Sequence, residues 1–313
     1  MPALAEKKIP VQSGQMTSLS LPVRLLALDI DGTLLNSKFK ISALDAAALR
    51  RAHELGVEII LCTGRRHTFA MPIAHLLGFE MWLCTSNGAV TRSTKGETLH
   101  RELMPVATAR RFCDHMREFQ LHTVITFDKE ERGALVVDSN HQLEGRVTQW
   151  LLTNAPYIQL LDPVYACLTT DPIQTMICGS VVFMRQVEAT LAAFPGLQEV
   201  SLLKTEYPHR DLSMVDVLPQ GCSKGHALER WAAFRGIPRQ ETMAIGDNYN
   251  DLEMLHVAGI PFIMGNAEAE MKQHGFLETR SNDEHGVAAA LEQVLGRERM
   301  NLEELAGNLK LLK

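Results

Sequence analysis

Short apolar runs that stop abruptly at small polar residues recur along this chain. Leu25-Leu26-Ala27-Leu28 breaks into Asp29-Ile30-Asp31-Gly32-Thr33, Ile59-Ile60-Leu61-Cys62 into Thr63-Gly64-Arg65, and Met243-Ala244-Ile245 into Gly246-Asp247. Unbroken apolar runs of this length, bounded by turn residues, are the pattern of strands buried on both faces of a parallel sheet. From 25 to about 90 the pattern predicts strand (25–28), helix (42–55), strand (57–62), helix (67–77) and strand (81–84). That alternation is the βαβ signature of an α/β protein.

About 160 residues then separate Thr63 from Lys224, with no turn-rich linker to absorb them. No loop in a compact domain is that long, so a second domain is expected there. The pattern places it at 92–205, with a helix (106–119), strands (121–126 and 134–138), a helix (142–153), strands near 158–161 and 174–178, and a helix (184–194). Strands paired with helices in this order fit an α+β layer. The core is then 23–91 and 206–313, the hinges fall at 89–93 and 204–210, and Thr94-Lys95-Gly96-Glu97 reads as a hairpin turn near the crossing. Residues 1–22, with Lys7-Lys8, prolines and no periodicity, read as a disordered leader within which Met16 is an alternative start. Met300, Leu302, Leu305, Leu309 and Leu312 share one side of a C-terminal helix, a pattern that suits packing on the core or a dimer contact.

Chemistry gathers where the strands end. Asp29 and Asp31, two apart, project to the same side at a strand's carboxyl end, where open α/β sheets bind their ligands. Carboxylates this close repel unless a cation or a shared proton intervenes, which points to a divalent metal and to unequal roles for the pair. Read alone, Asp-Gly is also an ordinary turn pair. Thr63 and Gly64 offer a hydroxyl and backbone N–H groups to a phosphate, a weak signal by itself. Ser223-Lys224-Gly225 opens an amphipathic segment with Ala227, Leu228, Trp231 and Ala232 at helical spacing, which puts Lys224 at a helix start, favourable for an anion; alone, it reads better as a solvated lysine. Asp247 and Asp251, four apart, share a face if their turn is helical. Asn87, in Ser86-Asn87-Gly88-Ala89, reads as a turn residue or as a contact on the substrate side. Asp216, in Met214-Val215-Asp216-Val217, is either a carboxylate near the cleft or an edge residue.

Taken together and in order, these segments resemble the four motifs of the haloacid dehalogenase-like hydrolases, in the Cof-type phosphatase branch, over about residues 23 to 295. The resemblance implies a doubly wound, mostly parallel, Rossmann-like core with an inserted α+β cap domain. It implies Asp29 as the nucleophile that takes the phosphoryl group, Asp31 as general acid and base, and Thr63 with Gly64 as phosphoryl-oxygen ligands. Lys224 would neutralise charge on nucleophile and phosphate. Mg²⁺ would be held by Asp29, Asp247 and the backbone carbonyl of Asp31, with Asp251 supporting the metal shell or orienting Lys224. Asn250 would reach the phosphate and Asn87 the substrate. The implied activity is hydrolysis of small phosphomonoester metabolites, a sugar phosphate or similar, through an aspartyl-phosphate intermediate. A phosphomutase uses the same aspartate pair, but the small helical cap expected directly after its first motif has no room in the thirty or so residues between Asp31 and Thr63. A dehalogenase or P-type ATPase would lack Asp31, and a non-catalytic phosphometabolite-binding protein would be expected to have lost one of these groups.

Composition narrows the partners. The 313 residues are 46% hydrophobic and carry a net charge of −6, without the clustered Lys and Arg that a nucleic acid or an anionic membrane calls for. No apolar stretch reaches membrane-spanning length and the first residues lack a secretory core, so a cytoplasmic protein acting on a small phosphorylated metabolite is expected. Cys62, Cys84, Cys113, Cys167, Cys178 and Cys222 are dispersed and read as buried reduced thiols.

Overall fold

The computed structural model describes residues 22–304 apart from 144, 146 and 303. The leader, Met16 and the leucines at 305, 309 and 312 lie outside the described residues.

The first stretch runs β1 (Leu25–Leu28), α1 (Ala43–Glu54), β2 (Glu58–Cys62), α2 (His67–Leu77), β3 (Trp82–Thr85), β4 (Val90–Ser93) and β5 (Thr98–Arg101). The middle stretch runs α3 (Val106–His115), β6 (Thr123–Thr126), β7 (Leu135–Asp138), α4 (Thr148–Asn154), β8 (Ile158–Leu161), β9 (Gln174–Gly179), α5 (Val181–Ala192), β10 (Val200–Tyr207) and β11 (Leu212–Pro219). The last runs α6 (Lys224–Arg235), β12 (Thr242–Gly246), α7 (Leu252–Val257), β13 (Ile260–Ile263), α8 (Ala269–Lys272), β14 (Leu277–Glu278), α9 (Gly286–Leu295) and α10 (Arg297–Met300).

These strands form two sheets, in the orders β14-β13-β12-β1-β2-β3-β4-β5 and β10-β11-β9-β6-β7-β8. In the first, β14 through β3 are parallel and only β4 and β5 run antiparallel at the edge. The chain winds from β1 outward through β2 and β3, then returns on the other side of β1 through β12, β13 and β14, which is the expected doubly wound core. Each of the four residues of β1 is fully buried, because helices cover both faces. Leu49, Ala74 and Leu291 of α1, α2 and α9 pack on one face, Leu228, Trp231 and Leu255 of α6 and α7 on the other. Met300 closes the first of these clusters with Leu302 packed against it, so this part of the C-terminal apolar pattern lies on the core.

The boundaries between the layers differ from those expected. Residues 90–101 are the β4–β5 hairpin of the first sheet, with Gly96 at φ 89° in its turn, so the expected hinge at 89–93 lies inside a hydrogen-bonded strand. The expected hinge at 204–210 falls in the β10–β11 hairpin of the second sheet, whose strands pair from Val200↔Pro219 to Tyr207↔Leu212. The second layer therefore extends to Pro219, not 205, and the chain crosses between layers at 102–105 and 220–223. Lys204 and Glu206 break the apolar pattern of β10, and the edge position of the strand is the reason it tolerates them. At the crossings Ala89, Val90, Ile173, Leu203, Leu218 and Cys222 form one apolar cluster shared by both layers. Helix 142–153 starts late, at Thr148, after Gly145 at φ 86°, and helix 106–119 ends at His115. The six cysteines are unpaired, five of them buried.

Among the described residues no helix is long and apolar enough to cross a membrane.

Gly88 sits at φ 92°, and a Cβ there would lie 2.3 Å from the Ser223 carbonyl oxygen. The left-handed backbone alone costs a side chain about 1–2 kcal/mol, before the clash. Gly88→Ala is therefore expected to lower the melting temperature by several degrees; an unchanged melting curve would contradict the close approach of α6 to this turn.

Candidate active site

Parallel register builds the site. Leu28 of β1 pairs with Ile245 of β12 and Leu61 of β2, so Asp29 stands just beyond the sheet between the Gly246-Asp247 and Cys62-Thr63 junctions. The Asp29 N–H donates to the Ile245 carbonyl (3.1 Å), which fixes its backbone. Ser223 caps α6, its side chain accepting from the His226 N–H (3.1 Å), and Lys224 follows as the first helical residue.

Lys224 is not solvated: it is 1% exposed, and Nζ donates to Asp29 Oδ1 (2.6 Å) and Asp251 Oδ1 (2.7 Å). Asp251 Oδ2 accepts from the backbone N–H groups of Asp247 and Asn248, both at 3.0 Å. Thr33 Oγ1 donates to Asp247 Oδ1 (2.8 Å). Asp29, Asp247 and Asp251 bring carboxylate oxygens within 4.8 Å of one another, all three residues buried. Burial, together with Asp251, pushes Asp29 up to about 7 against the pull of Lys224, and burial with Asp29 and Asp251 pushes Asp247 well up. Although burial opposes its charge, Asp251 and Asp29 hold the Lys224 ammonium above the usual lysine range. Three carboxylates facing one ammonium leave an excess of negative charge, and the donors are all hard oxygens. Both suit Mg²⁺, which prefers such ligands. Asp29 and Asp247 each have one oxygen outside these hydrogen bonds, whereas both oxygens of Asp251 are engaged.

Asp31 lies apart from this cluster. Arg65 donates from Nε to its Oδ2 and from Nη2 to its Oδ1, both at 2.6 Å, a paired geometry among the strongest ionic hydrogen bonds. Sequence spacing gave no role to Arg65; its place beside Thr63 in the same turn is the only local signal, and Asp31 is 34 residues away. Thr63 is buried, its Oγ1 accepting from the Arg65 N–H (3.1 Å), and Gly64 leaves room for Asn87, whose Oδ1 would lie 3.3 Å from an added Cβ.

Asn87, expected on the substrate side, is buried and engaged by one hydrogen bond at each end of its amide. Its Oδ1 accepts from Asn250 Nδ2 (3.1 Å) and its Nδ2 donates to Asp216 Oδ2 (2.8 Å). Asn250 spends a donor on the same bridge. Asp216, left open between two readings, belongs to the second sheet and faces the first: Gln174 Nε2 donates to its Oδ1 (2.7 Å), and burial pushes it up to about 7 against the Asn87 hydrogen bond and Lys224. At the far end of β10, the Asn248 side chain accepts from the Glu206 N–H (3.1 Å) and donates to its carbonyl (3.0 Å). Next to it, burial and then the field of Asp247, Asp31, Asp29 and Asp251 push the Tyr207 phenol well up, so the second sheet meets the acidic cluster here.

Buried carboxylates and a lysine at the carboxyl ends of parallel strands, under a second sheet, define a hydrolase site of the phosphoryl-transfer type. The family model for haloacid dehalogenase-like hydrolases matches residues 26–291. Phosphatase YwpJ of Bacillus subtilis (strain 168) is 30% identical over 290 residues, which cover 87% of this chain and all of the relative. Pyridoxal phosphate phosphatase YbhA of Escherichia coli (strain K12) is 28% identical over 267 residues, 85% of this chain and 96% of the relative. The solved structure of a haloacid dehalogenase-like hydrolase from B. subtilis superposes with a TM-score of 0.73 at 27% identity, over 87% of this chain and all of that one. The chain belongs to the haloacid dehalogenase-like hydrolase family, in its Cof-type branch. It is a hydrolase of phosphoric monoesters.

Asp216 titrates between its layers with a folded value above its unfolded one. Its stability contribution is full below about pH 4, the unfolded carboxylate range, and is lost as pH rises toward about 7. Asp216→Asn removes this dependence, so its melting temperature relative to the parent should rise between pH 4 and 8; a constant difference across that range would refute the titration.

Proposed function

We propose that the enzyme is a Mg²⁺-dependent, cytoplasmic phosphatase of small phosphorylated metabolites, a sugar phosphate or similar, working through an aspartyl-phosphate intermediate. The observation that carries this reading is the Lys224 ammonium, buried and held against Asp29. A phosphomonoester dianion approaching Asp29 meets a carboxylate, and its transfer depends on positioning and charge neutralisation more than on covalent assistance. Lys224 supplies one fixed positive charge at the attacking oxygen. Mg²⁺, which Asp29 and Asp247 would hold, would supply the second positive charge and the Lewis acidity that offsets charge on the phosphoryl group.

In the first half-reaction an Asp29 oxygen forms a bond to phosphorus while the ester P–O bond breaks, and the departing alkoxide takes a proton from Asp31. In the second, Asp31 removes a proton from water as the water oxygen attacks phosphorus, the bond to Asp29 breaks and inorganic phosphate leaves. Asp31 must let go of Arg65 to act in either step. Arg65 holds both Asp31 oxygens as a carboxylate, so Asp31 takes up a proton, from the entering monoester or from water, as it leaves Arg65 and before it serves as the acid of the first half-reaction. Thr63 and the backbone around Gly64 are proposed to hold the phosphoryl oxygens. Asn250 stands beside them, through its bridge to Asn87. In this reading residues 106–219 form a cap whose sheet closes the site against bulk water.

Asp29→Asn nearly preserves shape while removing the attacking charge. Its turnover of an aryl phosphate should fall to background with the fold intact, and the parent should lose activity with chelator and regain it with Mg²⁺. Ordinary turnover by folded Asp29→Asn, or full activity after metal removal verified by elemental analysis, would sink the reading. Asp31→Asn should impair alkyl phosphates at least about tenfold more than activated aryl phosphates, whose leaving groups need no proton. Equal losses on both classes would make Asp31 structural.

A further inference from the structure

Arg66 takes no part in the chemistry above, yet it is placed with unusual care. It sits at the start of α2, is 9% exposed, and lies between the rings of Phe69 and Tyr157, 5.1 and 4.9 Å from their centroids. Its Nη1 donates to the Lys129 carbonyl oxygen (3.3 Å). Nε and Nη2 are buried and meet no acceptor. These are the same two nitrogens with which neighbouring Arg65 grips the Asp31 carboxylate. Two charged donors left unmet away from water cost stability unless something supplies the acceptors.

The protein's own acids do not supply them. Asp128 accepts from Arg92 and Arg101, both at 3.0 Å, and Glu130 lies exposed on the rim, where solvent screens it. Beside Arg66 the buried Nδ1 of His67 is also without a partner. Arg66, His67, Ser86 and Lys129 line a cavity of about 10 Å³, enough for one oxygen-sized group. His67, Thr68, Arg92 and Glu130 border both this cavity and an open groove of about 570 Å³. With these residues common to both, a molecule that places an oxygen at Arg66 can extend its body into the groove.

We propose that this junction is a binding site for an oxyanion, a carboxylate or phosphate group carried by a small organic molecule, with the Nε and Nη2 edge of Arg66 as its recognition element. Arg66 and His67 come from the first sheet's layer, Lys129 and Tyr157 from the second, so the bound anion joins the two. The anion has two sources: a second acidic group on the substrate, or a free acid that binds beside it.

Calorimetric titration of the full-length protein with succinate tests the site, using the parent, Arg66→Met and Arg66→Lys. Binding should weaken at least about tenfold in Arg66→Met, which keeps the packing between the rings, and less in Arg66→Lys, which keeps the charge without the paired edge. Equal affinity in the folded variants, or no binding to the parent, overturns the proposal; either variant alone suffices if the other does not fold. Turnover then separates the sources. If the substrate carries the second acid, the parent prefers 3-phosphoglycerate to glycerol 3-phosphate in kcat/KM, succinate competes, and Arg66→Met loses the preference. If the acid is free, succinate alters the turnover of phenyl phosphate in the parent and not in Arg66→Met. The titration needs no turnover, so inactivity on every phosphate ester would count against the phosphatase reading and leave this site standing.

Discussion

The contact of Lys224 with Asp29 and Asp251 organises everything else at the sheet's carboxyl edge. All three side chains are 5% exposed or less, so water solvates none of their charges. A buried ion pair stands only if its remaining hydrogen-bonding capacity is met, and loss of one partner leaves the other charged and alone. Here the surplus oxygen of Asp251 takes the N–H groups of Asp247 and Asn248, and the lysine's own position follows from the Ser223 cap. Backbone has been cleared to let the parts meet. A Cβ on Gly246 would lie 2.6 Å from Asp251 Cβ, and one on Gly225 would lie 2.7 Å from the Glu253 carbonyl carbon. Gly246 at the third apolar-run junction and Gly225 in the first turn of α6 are thus there for close approach as much as for turning.

The first sheet was legible because its strands are apolar throughout and stop at residues with chemistry. β1, α1, β2, α2 and β3 fall within a residue or two of the expected ranges, and register alone then brings Asp29, Thr63 and Asp247 to one edge. The second sheet was less legible because half of its signal is mixed. β10 carries Lys204 and Glu206 among its apolar residues, and β11 carries Asp216 at a position facing the first sheet, so the hairpin reads locally as a hinge followed by a core strand. Only the cross-strand pairing assigns both to one layer. The partners of Asp31 and Asn87 were illegible for a different reason. Arg65 and Asp216 lie 34 and 129 residues from them, and no local periodicity carries information over such separations.

Asn87 shows what that long-range information does. Gln174 donates to Asp216, Asp216 accepts from Asn87, and Asn87 accepts from Asn250, so a line of buried hydrogen bonds runs from the second sheet to the residue preceding Asp251. A second connection joins Glu206 of β10 to Asn248, three residues before that same aspartate. Both lines end on the 248–251 turn that fixes the partner of Lys224. These hydrogen bonds are buried, so each holds its geometry more tightly than an exposed one would. The second sheet is therefore not merely laid over the acidic cluster. It is fastened to the turn that sets the lysine's charge against Asp29, and the position of one cannot change without breaking hydrogen bonds that position the other.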